Sequence, residues 1–299
     1  MTIARTSKGM TMGNVLAVLG GSGLYDLPGL KNVEEIAVET PYGAPSDKIV
    51  RGVLEGTTLL FLPRHGRGHR VPPHGINYRA NVCALKKLGA THLVSVSAVG
   101  SMKEAIEPGH FVVVDQYIDL TKRRVSTFFD EVVAHVSFSE PVCALLASAL
   151  GDAATNVHAK GAGGVHRGGT YVCIDGPQFS TRAESLLYRT WGVSVIGMTS
   201  MPEAKLAREA ELPFATLALA TDYDCWHQSE EHVTVEAVLA VMRANVDTAR
   251  RAIAALAANL PDPTKSAAHG ALAQAVMSDP AHVPAEVRAR IGWLIPRLS

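Results

Sequence analysis

The sequence has no net charge to offer. In 299 residues, lysine and arginine number 28 and aspartate and glutamate also number 28. A nucleic-acid binder needs a basic field to displace counterions, so that class is excluded. Charged residues of both signs are scarce, at 19% against an average of about 25%. Disorder requires low hydrophobicity with high net charge, whereas the hydrophobic set here reaches 47%. No apolar run approaches the ~18 residues that a membrane span needs. The first 13 residues are polar, with Arg5 and Lys8, and lack the apolar core of a signal peptide. The four cysteines, Cys83, Cys143, Cys173 and Cys225, lie far apart with no CxxC pair. That spacing argues against a disulfide framework or a zinc site and for a reduced, cytoplasmic protein.

What is present is a core-rich chain whose apolar surplus suggests that a partner subunit covers part of its surface. Runs of strand length at 15–19, 58–62, 93–97, 111–115, 171–174, 194–198 and 214–220 are nearly continuous in Val, Ile and Leu, as strands buried on both faces should be. Between them lie helical patterns at 76–88, 141–150, 182–191 and 202–211, the second expected to stop at Gly151. A longer helix is expected over 235–260, with apolar positions stepping by three and four and Pro261 ending it. Such alternation predicts an α/β fold around a mainly parallel or mixed sheet. No repeat or linker divides the chain. The expectation is one domain: a flexible tail over 1–13, the body over 14–260, and a helical extension over 261–299 with a pattern at 285–294.

Four segments carry groups suited to chemistry. Gly20-Gly21-Ser22-Gly23 follows the first strand and is either a tight turn or a cradle of N–H groups for an anion. It lacks the dinucleotide fingerprint and the lysine of a phosphate-binding Walker loop. Arg64-His65-Gly66-Arg67-Gly68-His69-Arg70 crowds oxyanion donors after a strand. His65 and His69 have the spacing of a helical metal pair, but the surrounding glycines and prolines disfavour a helix. Oxyanion binding and a solvated basic loop remain the readings. Asp222 and Asp224 close the 214–220 strand, and i, i+2 spacing puts them on one side of an extended segment. There they could hold a metal, share a proton, grip a ligand, or merely cap a turn. Thr199, before the 202–211 helix, is either a simple N-cap or an anion donor. Ser97 is ambiguous in the same way. No Gly-x-Ser-x-Gly elbow marks a serine hydrolase.

Longer motifs then carry a resemblance. Gly-Gly-Ser-Gly-Leu-Tyr at 20–25, Thr40-Pro-Tyr-Gly-x-Pro-Ser-Asp47, Arg64-His-Gly-Arg-x-His69 and Asn77-Tyr-Arg-Ala-Asn81 come in that order. Gly176-Pro-x-Phe-Ser180, Met198-Thr-x-x-Pro-Glu203 and Thr221-Asp-Tyr-Asp-Cys-Trp226 follow. Together they resemble the trimeric purine nucleoside phosphorylase family and, within it, the 5′-methylthioadenosine phosphorylases. The resemblance implies a single α/β domain with a mixed central sheet flanked by helices. It also implies a homotrimer, or a hexamer, with sites near subunit interfaces, and neither nucleic acid nor membrane as partner.

The implied reaction is phosphorolysis of S-methyl-5′-thioadenosine to adenine and 5-methylthioribose 1-phosphate in purine and methionine salvage. It needs no metal and no cofactor, inorganic phosphate being the co-substrate. By similarity, Ser22, Arg64, His65, Ser97, the Ala98 backbone and Thr199 would hold phosphate. Met198 would pack under the ribose, Phe179 would line the base site, and His135 would reach a neighbour's 5′ pocket. Asp222 becomes the candidate acid at purine N7, with burial beside Asp224 expected to keep its proton. Asp224 would accept from the 6-amino group. Relatives acting on 6-oxopurines carry Asn at the Asp222 position, Glu at Ser180, and a histidine near Val235. The aliphatic set Val235, Val238 and Leu239 suits a methylthio group. The alternative is a broader phosphorylase of adenosine or 6-oxopurine nucleosides.

Overall fold

A computed structural model describes residues 13–294 apart from 22, 25 and 228–234, and apart from the side chains of 162 and 235–240. The strands are β1 (Val15–Gly20), β2 (Lys31–Ile36), β3 (Ile49–Leu54), β4 (Thr57–Pro63), β5 (His92–Ser101), β6 (Phe111–Val114), β7 (Gln116–Asp119), β8 (Val165–Arg167), β9 (Thr170–Cys173), β10 (Val195–Gly197) and β11 (Phe214–Asp222). The helices are α1 (Tyr78–Lys87), α2 (Ala144–Val157), α3 (Arg182–Thr190), α4 (Ser200–Glu209), α5 (Val235–Ala257) and α6 (Ala285–Ile291).

All strands join one mixed sheet in the order β2-β3-β4-β1-β5-β10-β9-β7, and β11 branches from β5 to β6 and β8. The branch point decides where ligands can go. The first half of β5 lies between β1 and β11, both parallel to it. Its far end keeps β11 but exchanges β1 for antiparallel β10. A crevice opens outside strand carboxyl ends where neighbours change in this way.

Two apolar layers cover the sheet. One joins Leu60, Leu62, Leu93 and Phe214 to Val82 and Leu85 of α1 and Leu206 of α4. The other joins Leu16, Phe61, Val94 and Leu217 to Leu146 and Leu150 of α2 and Ile253 and Leu256 of α5. The result is a single-domain α/β sandwich with a mixed central sheet. Residues 272–294 belong to the first layer, since Leu272, Val283, Val287 and Ile291 are buried with the helix α1 residues. Among the described residues, no helix is long and apolar enough to cross a membrane.

Local chemistry sets the helix ends. Asn77 accepts from Ala80 N to start α1, and Lys86 and Lys87 complement its C-terminal dipole. Thr181 and Glu184 form a reciprocal capping box on α3. Gly151 does not stop α2, contrary to the sequence expectation. The helix runs on to Val157, and a Cβ at 151 would stand 3.1 Å from the Arg167 guanidinium. The glycine accepts a helix-propensity cost of about 1 kcal/mol to let β8 approach.

Candidate active site

Five chain segments deliver the site to the β5 branch. The exits of β1, β4, β5 and β11 supply Gly21, Arg64 and His65, residues 97–100, and Asp222. Strand β10 runs against β5, so Met198 and Thr199 return alongside Ser97. Phe179, Ser180 and Met242 complete a cavity of about 280 Å³ that also takes in Ala98, His69 and Asp224. Of the residues expected from sequence, Arg64, His65, Ser97, Ala98, Phe179, Ser180, Met198, Thr199, Asp222 and Asp224 thus share one cleft. Ser22 lies outside the described residues, as do the side chains of Val235, Val238 and Leu239. His135 stands apart from the cleft. It lines a separate surface hollow with Phe138 and Lys205.

At one end of the cleft, charge is matched within the protein. Arg64 is 2% exposed and Glu203 0%. The Arg64 Nε donates to Glu203 Oε1 at 2.5 Å, and Nη2 donates to Oε2 at 3.0 Å. Leu19 O and Ser95 Oγ also accept from Nη2, and Val96 O accepts from Nη1. Burial opposes the guanidinium charge, yet the Glu203 carboxylate raises its pKa above the usual arginine value. Among the described residues, the second Nη1 hydrogen has no acceptor. Arg64 is therefore not the free phosphate clamp that its place in a basic cluster suggests. Its fork is spent on Glu203, and the pair is neutral.

His65 faces the same end. Its Nδ1 lies 2.8 Å from Val71 O and its ring stacks on His69 at 4.3 Å. Burial, with the nearby Arg64 charge, lowers its pKa to about 4. Beside it, Ser97 Oγ lies 3.0 Å from Thr199 Oγ1 and 3.2 Å from Tyr171 Oη. Thr199 occupies the N-cap position of α4, but its side chain makes no cap bond. Met201 and Pro202 are non-helical, so the first turn of α4 is broken. The Thr199 hydroxyl is thus turned to Ser97 and the cleft. A Cβ on Gly197 would sit 2.0 Å from the buried Tyr171 hydroxyl, which explains the glycine there.

The other end is acidic. Asp222 ends β11 after a bulge that pairs it with Gly100, and bulges re-aim side chains. Its Oδ1 accepts from Asp224 N at 2.8 Å and its Oδ2 from the Thr221 hydroxyl at 2.7 Å. The two carboxylates do not share an extended segment, as their spacing suggests. Asp224 opens a tight helical turn with φ of 52°, and the turn returns both to the cleft. Burial pushes the Asp224 carboxyl up, against a hydrogen bond from Ser185. A raised carboxyl at this end of the cleft is thus Asp224, the partner that the sequence reading set beside Asp222. Phe179 is 64% exposed at the mouth, and the buried Ser180 Oγ has no partner among the described residues. No group of three or more metal-binding side chains occurs among the described residues.

Several contributors escaped the sequence reading. Glu203 lies inside a quoted motif, but nothing in the spacing marks it as the counter-ion of Arg64. Tyr171 and Ser185 reach the site only through sheet pairing and packing. Met242 had a signal, since it continues the apolar stripe of the long helix past Val238 and Leu239.

Known proteins resemble the chain over nearly its whole length. An S-methyl-5′-thioadenosine phosphorylase of Geobacter sulfurreducens is 53% identical over 286 residues, covering 95% of this chain and 99% of the relative. Another, of Rhodospirillum rubrum, is 52% identical and covers 89% and 90%. A crystal structure of a methylthioadenosine phosphorylase from an Antarctic soil metagenomic library superposes with a TM-score of 0.88 at 49% identity, covering 94% and 99%. The family model described as the phosphorylase superfamily matches residues 15–258, and the chain belongs to that superfamily.

Proposed function

We propose that the chain is an S-methyl-5′-thioadenosine phosphorylase, a pentosyltransferase that releases adenine and 5-methylthioribose 1-phosphate. The observation that carries this reading is the division of one cleft into a neutral hydrogen-bonding end and an acidic end. The full-length relatives named for the same reaction support it.

In the reaction, a phosphate oxygen lone pair forms the C1′–O bond while the C1′–N9 pair leaves with the purine. The purine must take one proton at N7 as negative charge gathers on it. Phosphate is held by the Ser97 and Thr199 hydroxyls, the Ala98 backbone, the remaining Arg64 N–H, His65 and Ser22. Met198 supports the ribose, and Phe179 covers the base. The hydrogen bonds that Asp222 accepts from Asp224 N and Thr221 fix its carboxyl plane. An N7 lone pair set against a carboxylate is tolerated only with a proton between them, so purine binding itself favours the acid form of Asp222. Such a donor contributes about 10²–10⁴-fold in rate. Asp224 takes the 6-amino group, and a 6-oxo group there would set acceptor against acceptor. The resemblance assigns the methylthio group to Val235, Val238 and Leu239, Met242 lines the cleft, and Ser180 is compatible with a 6-aminopurine.

No cofactor enters beyond co-substrate phosphate. The resemblance assigns His135 to a neighbour's pocket within a homotrimer or a hexamer, so the functional unit is an oligomer. Light scattering on the purified chain tests this, since a monomer with full activity would overturn it. The reaction is tested by incubating the protein with 5′-methylthioadenosine, with and without phosphate, and following adenine. Release only with phosphate is expected, and equal release in both tubes would refute phosphorolysis.

A further inference from the structure

The phosphate end of the cleft holds an acceptor where an anion site is expected to hold donors. A carbonyl oxygen only accepts, so the 2.8 Å contact with Val71 O keeps a hydrogen on His65 Nδ1. In a neutral imidazole, Nε2 is then a bare lone pair. Nε2 has no protein partner among the described residues, and the ring lines the cleft.

The charged and titratable groups around the ring keep it neutral. Arg64 precedes it, His69 stacks on it, and Arg124 faces it from another segment. Arg124 is itself held by the carbonyls of Met201, Ile174 and Asp175. The carboxylate at this end, Glu203, is taken up by Arg64. Burial and the Arg64 charge lower the imidazole pKa to about 4, so a neutral solution leaves it unprotonated.

An oxyanion entering here therefore meets a lone pair. If the anion carries a hydroxyl, that O–H donates to Nε2. If it carries none, two acceptors face each other and a buried group goes unmet. We propose that His65 selects for oxyanions that carry their own hydroxyl proton, phosphate and arsenate, over sulfate, which has none at neutral pH. This rests on the reading of this end of the cleft as the phosphate site. The Arg64–Glu203 pair strengthens the selection, because the Arg64 charge is already matched within the protein.

An unmet buried polar group costs about 1–3 kcal/mol, so sulfate should bind roughly tenfold or more weakly than phosphate. Titration calorimetry of the full chain with inorganic phosphate, arsenate and sulfate near pH 7.5 reads this without any nucleoside, independently of turnover. The expected result is similar affinity for phosphate and arsenate, with sulfate weaker by that factor. In His65→Gln the carboxamide offers a donor as well as an acceptor, so the gap should shrink to within about threefold. Equal affinity of the wild-type chain for sulfate and phosphate would overturn the proposal, and needs no variant. An undiminished gap in a folded His65→Gln would overturn it too. Failure of all three anions to bind would remove the phosphate site along with it. Selective binding without turnover of 5′-methylthioadenosine would uphold the selection and remove only the assigned reaction.

Discussion

The two ends of the cleft handle charge in opposite ways. At the end proposed for phosphate, a guanidinium and a carboxylate neutralise each other in the core, and the histidine beside them is held uncharged. At the end proposed for the base, two carboxylates two residues apart flank a tight turn, and burial raises one of them. The first end is a fixed lattice of hydrogen bonds. The second is a reservoir for a proton. A reaction that needs a positioned anion and a mobile proton is served by keeping these properties apart.

The sharpest way to break that comparison is Asp222→Asn. It should lower kcat/KM on 6-aminopurine nucleosides by about 10²–10⁴-fold and shift relative preference toward 6-oxopurines. An unchanged preference ratio would remove the acid role from Asp222. Glu203→Ala probes the other end. Leaving Arg64 charged and unpaired should cost about 3–5 kcal/mol in urea unfolding. A loss below ~1 kcal/mol would mean that the pair is not what neutralises this end.

Gly197→Ala forces a methyl against Tyr171 and should cost about 1–3 kcal/mol, with a raised KM for phosphate because Tyr171 adjoins Ser97. A stable variant with wild-type KM would detach the hydroxyl cluster from phosphate binding.

Stability against pH separates the ends by sign. His65 has a folded pKa of about 4 against the ordinary histidine value of 6.5. Its contribution is therefore present above the unfolded value and lost as pH falls from 6.5 through 4. Asp224 is raised, so its contribution is present below its unfolded pKa and lost as pH rises through the folded one. Asp224→Asn should then raise the melting temperature at pH 7 while impairing turnover, and His65→Gln should flatten the loss of stability between pH 6.5 and 4. Melting curves across that range decide both. A less stable Asp224→Asn at pH 7 would contradict the reservoir view.

The strands and motifs that build this cleft were legible because they are buried on both faces or rich in glycine, arginine and aspartate. Strand β2 was not, since Lys31–Ile36 is almost wholly exposed and carries charge where a core strand carries valine. Strands β7 and β8 are short and only partly covered, so their apolar signal is weak. Helix α2 passed through Gly151 because tertiary packing against Arg167 outweighed local propensity. The Asp222–Asp224 geometry depends on a bulge and a positive φ, which two-residue spacing does not encode. The Arg64–Glu203 pair joins residues 139 positions apart and leaves no local mark.

Residues 272–294 carry a consequence for how the chain reaches this state. Ala134 and Val276 form a β-bridge, Met277 N donates to Val133 O, and the Trp293 ring lies 5.1 Å from Phe128 and 6.4 Å from Tyr42. The apolar layer over α1 thus stays open on one side until segments separated by 140 to 250 positions meet. Contacts of such span close slowly, because loop entropy must be overcome first. Until then Phe128, Val132 and their neighbours are an uncovered oily face. Aggregation during refolding should therefore start at this seam rather than at the catalytic cleft.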